Sequence, residues 1–200
     1  MGAIQPSSPK DLLLLAKDLL GKNEYERAFQ CLKRVLAAEE KDIWIEMVAH
    51  SFLCSYYFAS QDFKNLVTQA NKVITLGSKN DDVIGQASGL ISLALAYLVN
   101  EKQPNQAYHF CTEALNLLNN IPIVGEQIRN IGVLAAIHWE KKEEELAIKQ
   151  YLELQKLLDL IPDKVTISYI LKELNLLYEI IGFQVGQDKI NREFKKEEES

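Results

Sequence analysis

Cysteine is scarce in this sequence: three residues in 200, at positions 31, 54 and 111. An odd number without metal-site spacing offers neither a disulfide framework nor a zinc cluster, and it fits a reduced, cytoplasmic compartment. Glycine (9) and proline (5) are few as well, which excludes a collagen-like or low-complexity chain. Long apolar runs are missing. The longest, GLISLALAYLV at Gly89–Val99, is far short of the ~20 residues that span a bilayer, so no membrane insertion is expected. The opening MGAIQPSSP has neither the basic n-region nor the apolar h-region of a secretory signal. Pro6 also stands where a myristoylation pattern wants Ser or Thr. Basic charge is in excess in neither half and the net charge is −6, which argues against a phosphate-binding surface and so against nucleic acid. HExxH, P-loop and GxSxG patterns are absent, and the sequence is read as non-enzymatic, without cofactor or metal.

What is present is an ordinary globular balance, 48% hydrophobic and 25% charged, and an internal repeat. In LLLLAKDLLGKNEYERAFQCLKRVL, Leu12, Leu15, Ala16 and Leu19 fall at helical spacing. Gly21 and Asn23 interrupt the pattern, and Tyr25, Ala28, Leu32 and Val35 restart it. The same order returns from His50 with Leu53, Cys54 and Tyr57, then Phe63, Leu66, Ala70 and Val73. It returns again with Leu90, Leu93, Ala94 and Tyr97, then Ala107, Cys111 and Ala114, across a turn one residue longer. A fourth copy has Ile131, Leu134, Ala135 and His138, then Ala147, Tyr151 and Leu154. A fifth first helix carries Leu171, Leu174, Asn175 and Tyr178 before Gly182.

The second-helix anchors Ala28, Leu66, Ala107 and Ala147 are spaced 38, 41 and 40 residues apart. A near-constant period of this size in a helical pattern means stacked helix hairpins. Small residues at Ala16, Cys54, Ala94 and Ala135 let paired backbones approach where the helices cross. The expected fold is all-α, a right-handed α-solenoid of about five antiparallel helix pairs in a single domain over 1–200. Residues 9–160 supply four hairpins and 163–194 a degenerate fifth hairpin or capping helix, with 1–8 and the acidic 195–200 as disordered tails.

Over roughly Pro9–Leu160 this pattern resembles the tetratricopeptide repeat family. Two features depart from it: the family period is ~34 residues, and the Pro that ends the second helix appears only as Pro122 and Pro162. The resemblance implies a non-enzymatic protein–protein interaction module, such as a scaffold, adaptor or co-chaperone. Some family members clamp a chaperone's C-terminal carboxylate with Lys, Asn and Arg. Lys17 matches one such position, but Leu13, Ser55, Ser88 and Ile91 stand at the others, so the clamp is not carried over.

In this family the first helices line the concave face. Their inward positions are Lys10, Leu13, Lys17 and Leu20; Val48, Ser51, Ser55 and Phe58; Ser88, Ile91, Leu95 and Leu98; and Arg129, Gly132, Ala136 and Trp139. The apolar ones, with Lys17, form the expected partner-binding groove: Leu13, Lys17, Leu20, Phe58, Ile91, Leu95, Leu98 and Trp139. Either a helix or extended segment of a protein or peptide partner lies there, or the chain fills the groove itself, with its C-terminal helix as the candidate. A second functional reading is a regulatory sensor whose solenoid closes on a peptide or small ligand. A third is a helical enzyme with dispersed residues.

The remaining chemistry-bearing residues read as structural. His50 and His138 sit at repeat positions, and His109 and Cys111 lie two residues apart, about 200° around a helix. Cys31, followed by Lys33 and Arg34, is the best candidate for a reactive thiol. The run EKKEEE at Glu140–Glu145 lacks the alternating oxygen ligands and Gly of a calcium loop. GFQVG at Gly182–Gly186 lacks the preceding strand of a nucleotide loop.

Overall fold

A computed structural model of the chain describes residues 8–122, 124–184, 186 and 188. Among these every regular element is a helix. They run α1 (Pro9–Gly21), α2 (Tyr25–Ala37), α3 (Ile43–Ala59), α4 (Phe63–Lys79), α5 (Val83–Val99), α6 (Pro104–Leu118), α7 (Val124–Glu140), α8 (Glu144–Leu158) and α9 (Lys164–Ile181).

Local chemistry sets the boundaries. Ser8, Asp42, Asp62, Asp82 and Asp163 each cap a helix by accepting a hydrogen bond from a first-turn N–H, which satisfies a donor the helix cannot pair internally. The hairpin turns share one geometry. Asn23, Gln61 and Lys142 take left-handed φ values of 59°, 56° and 65°. In each case the next N–H reaches back to a carbonyl five residues earlier: Glu24 to Leu19, Asp62 to Tyr57 and Glu143 to His138. In the turn between α5 and α6 the residue is Lys102 and the bond runs from Gln103 to Tyr97, which accommodates the extra residue seen in the sequence.

The repeat register is realised in the packing. Ala16, Ala28, Ala70, Ala94, Ala107, Ala135 and Ala147 are completely buried, at the crossings where small side chains permit close approach. Helix α5 is apolar all round and buried on nearly every side, as a central helix must be. From α1 to α8 each helix packs on its neighbours in chain order, so the molecule is an all-α solenoid in which α2, α4, α6 and α8 form the outer layer.

The inner layer closes on itself. Successive first helices α1, α3, α5 and α7 touch in order, and α9 packs against both α7 and α1 while reaching α5 and α3. The concave side is thus filled by the protein's own ninth helix. An apolar stripe facing a concavity loses its water-exposed surface on being covered, and this is the driving force that seats α9. Of the second helix expected for a fifth hairpin only Gln184, Gly186 and Asp188 are described, and they are helical. Both expected tails lie outside the described residues, except that Ser8 is the N-cap of α1 rather than tail.

Candidate functional site

Filling the groove corrects the expectation of an open partner-binding surface there. Leu13, Leu20, Phe58, Ile91, Leu95 and Leu98 are all at most 3% exposed. Trp139 is half-buried and stacks on Phe183, with ring centroids 4.9 Å apart. Lys17 donates to Asp163 at 3.0 Å and to Thr166 at 2.5 Å, both at the start of α9. Leu13, Lys17, Leu20 and Phe58 lie beside α9, and Trp139 meets the chain just beyond its end.

The polar residues among the inward positions have a separate role. Arg129, on α7, is 2% exposed. Its Nε and Nη2 donate to the two oxygens of Glu173 on α9, the latter at 3.1 Å. Nη2 also donates to Ser92 Oγ at 3.1 Å, and Nη1 to the Ser88 carbonyl at 3.3 Å. Ser55 on α3 donates to Glu173 at 2.9 Å and lies 2.6 Å from the hydroxyl of Tyr169. Since the Ser55 proton goes to the carboxylate, Tyr169 donates to Ser55. A relay of hydrogen bonds therefore joins α3, α5, α7 and α9 at the centre of the molecule. Burial opposes the Arg129 charge, but Glu173 and Glu126 hold its pKa well above the ordinary value. Burial and the Glu173 charge push the Tyr169 hydroxyl up.

Charge does not balance in this cluster. One guanidinium faces two carboxylates, and Glu173 receives the bidentate contact. Glu126, in the first turn of α7, is left with an ion-pair distance of 3.5 Å to Arg129 Nη1. Its Oε2 accepts no hydrogen bond within the protein. Desolvation raises the Glu126 pKa; Arg129 pulls against this and Glu173 adds to it.

Glu126 also faces an open cleft at the N-terminal ends of the inner helices. One lobe, about 290 Å³, lies between α1, α3, α7 and α9, with Leu13, Leu14, Trp44, Val48, Phe52 and Ile170 as its apolar walls. Lys10 and Lys17 border it on α1. A second lobe, about 310 Å³, lies between α3 and α5 and reaches Asp82. The lobes share Trp44, Val48, Phe52 and Glu126. At the lip, Leu14 and Trp44 are 60% and 45% exposed. Of the eight residues expected from sequence, Leu13 and Lys17 border this cleft and the other six do not. Sequence reasoning missed Trp44, Phe52 and Glu126. One signal was available: Trp44 is one of two tryptophans and stands at the very start of a helix, ahead of the repeat positions.

The histidines and thiols are placed structurally. His50 Nδ1 lies 2.6 Å from Gln69 Oε1, and burial lowers its pKa. His138 Nδ1 contacts Glu143 at 2.6 Å across the α7–α8 turn. Cys31, Cys54 and Cys111 are free and buried, and burial pushes the Cys54 thiol up to about 12. Among the described residues, no group of three His, Cys, Asp or Glu side chains could hold a metal ion, and no helix is long and apolar enough to cross a membrane.

No family model matches the chain, and no curated protein matches it. Among solved structures it is similar to BtubC (BKLC) from P. vanneervenii, with a TM-score of 0.57 at 12% identity over 94% of this chain and 78% of that one. At that identity the likeness concerns the fold.

Proposed function

We propose that the protein is a non-enzymatic interaction module of the tetratricopeptide type. It holds a segment of a partner protein in the cleft at the N-terminal ends of its inner helices, and it works in the cytoplasm. The observation that carries this reading is the two-lobed apolar cleft with Trp44 and Leu14 exposed at its lip. Tryptophan in a concave apolar setting is the residue type most often found to dominate an interface, and a surface of this kind is ordinarily covered by a partner. Three unpaired thiols support a reducing compartment.

The test is a displayed peptide library panned against the folded protein. Peptides retained by the wild type should bind Trp44→Ala at least tenfold more weakly, and Val48→Asp not measurably, while both variants keep their melting temperatures within a few degrees. In a Trp139→Phe background the fluorescence of Trp44 should change on binding. Peptides that bind both cleft variants as well as the wild type would refute the assignment.

A further inference from the structure

The chemistry of the cleft floor narrows the partner segment, on the reading that the cleft holds one. Of the two carboxylates and one guanidinium buried behind that floor, only Glu126 lines the cleft, and Glu173 takes both good hydrogen bonds of Arg129. Glu126 is the surplus acceptor. It stands where the two lobes join, its side chain 23% exposed and its Oε2 without a hydrogen-bond donor. Oε2 itself is enclosed, 3.5 Å from Arg129 Nη1, so what the cleft meets is the rest of a carboxylate whose charge a single cation, shared with Glu173, does not compensate.

The charges that face the cleft from each element define what can enter. On α1, Lys17 is committed to Asp163 and Thr166 of α9, while Lys10 is exposed at the outer border of the first lobe. At the start of α5, Asp82 spends Oδ1 on the N–H groups of Ile84 and Gly85. On α7, Arg129 is saturated by Glu173, Ser88 and Ser92. The remaining unmet group is anionic and sits at the centre, with an apolar wall on each side. Two lobes of similar size placed side by side suit successive side chains of an extended segment rather than one compact amine.

We infer that the cleft takes a Lys or Arg side chain of the partner segment, its cationic head on Glu126 and its aliphatic stem against Val48 and Phe52, with a neighbouring apolar side chain in the other lobe. A charge-assisted bond in such a setting is roughly twice as strong as a neutral one, and the stem buries apolar surface at the same time. Lys10 sets the polarity, repelling the basic end from the outer border of the first lobe.

The experiment pans a random hexapeptide library against wild type and Glu126→Gln, discarding peptides that Val48→Asp also retains. The expected result is enrichment of Lys or Arg beside an apolar residue on the wild type. Replacing that Lys by norleucine, or that Arg by citrulline, should weaken binding at least tenfold to the wild type and less than threefold to Glu126→Gln. Enrichment of apolar residues alone would overturn this inference and leave the cleft assignment standing. A basic preference that persists unchanged in Glu126→Gln would also overturn it. If the wild type retains no peptide, both readings fail. The norleucine and citrulline comparison on the wild type decides the matter even where the Gln variant is poorly folded.

Discussion

Replacing Arg129 by Met removes the one cation from a cluster that holds two carboxylates. Glu173 would keep only the Ser55 hydroxyl as a donor, and Glu126 would lose its 3.5 Å ion pair. Removing one partner of a buried ion pair costs about 3–5 kcal/mol, because the other charge stays buried and uncompensated. Against a total stability of roughly 5–15 kcal/mol, that is a large share. For a chain of this length it corresponds to a melting temperature roughly 6–20 °C lower. The double variant Arg129→Met/Glu173→Leu should behave differently. Apolar replacement of both partners is often neutral, Ser92 keeps its bond to the Ser88 carbonyl, and Tyr169 keeps Ser55. The double variant should therefore recover ~2 kcal/mol or more of the single loss. Urea unfolding followed by circular dichroism, with the two single variants and the double, measures the coupling directly. A single loss below ~1 kcal/mol, or a double loss equal to the sum of the singles, would refute the account of how α9 is held.

Glu126→Gln should match the wild type in stability at pH 3 and exceed it at pH 7. The folded-state pKa is raised by burial, so ionisation costs stability as pH rises through the unfolded value of ~4.3, and a melt series across pH checks the crossover. Gly89→Ala should destabilise by ~1–3 kcal/mol, since an added Cβ would stand 2.6 Å from Ile74 Cγ1 and 2.9 Å from the Ala70 carbonyl. Gly85→Ala, which meets only the flexible end of Met47, should change stability by less than ~1 kcal/mol in the same assay. Ellman's reagent should label none of the three cysteines in the native protein within minutes and all three in urea, and rapid native labelling of Cys54 would contradict its burial and raised pKa.

The hairpins were legible because helix crossings impose a residue-size rule at fixed spacing. Ala28, Ala107 and Ala147 are small for a steric reason that any chain with this packing must obey. The destination of α9 was not legible. Leu171, Leu174 and Tyr178 form the same stripe as any first helix, and local periodicity carries no record of which distant face receives it. Once the groove is filled, Phe58 and Leu95 become core and Trp139 half-buried, the self-filled outcome that the sequence left open beside a partner's bed. The informative residues were the polar ones in the same positions. Ser55, Ser88 and Arg129 stood out against leucines: Ser55 and Arg129 bind Glu173, Ser55 also binds Tyr169, both 40 or more residues downstream, and Ser88 accepts from Arg129. A charged residue on a first helix's inward face asks for a counter-charge, and Glu173 was available to answer it. Trp44 and Glu126 escaped because they lie in first turns, outside the repeated positions.

An open stack of hairpins behaves mechanically like a spring, stretching a little at every joint when its ends are pulled. The contact between α1 and α9 changes that response. Lys17 holds Asp163 at 3.0 Å and Ser168 donates to the Gly21 carbonyl at 3.1 Å, so tension applied across the chain reaches this seam before it reaches any joint between neighbouring hairpins. The seam acts as a clasp: extension is small until it parts, and the coil beneath it is then free to lengthen one hairpin at a time.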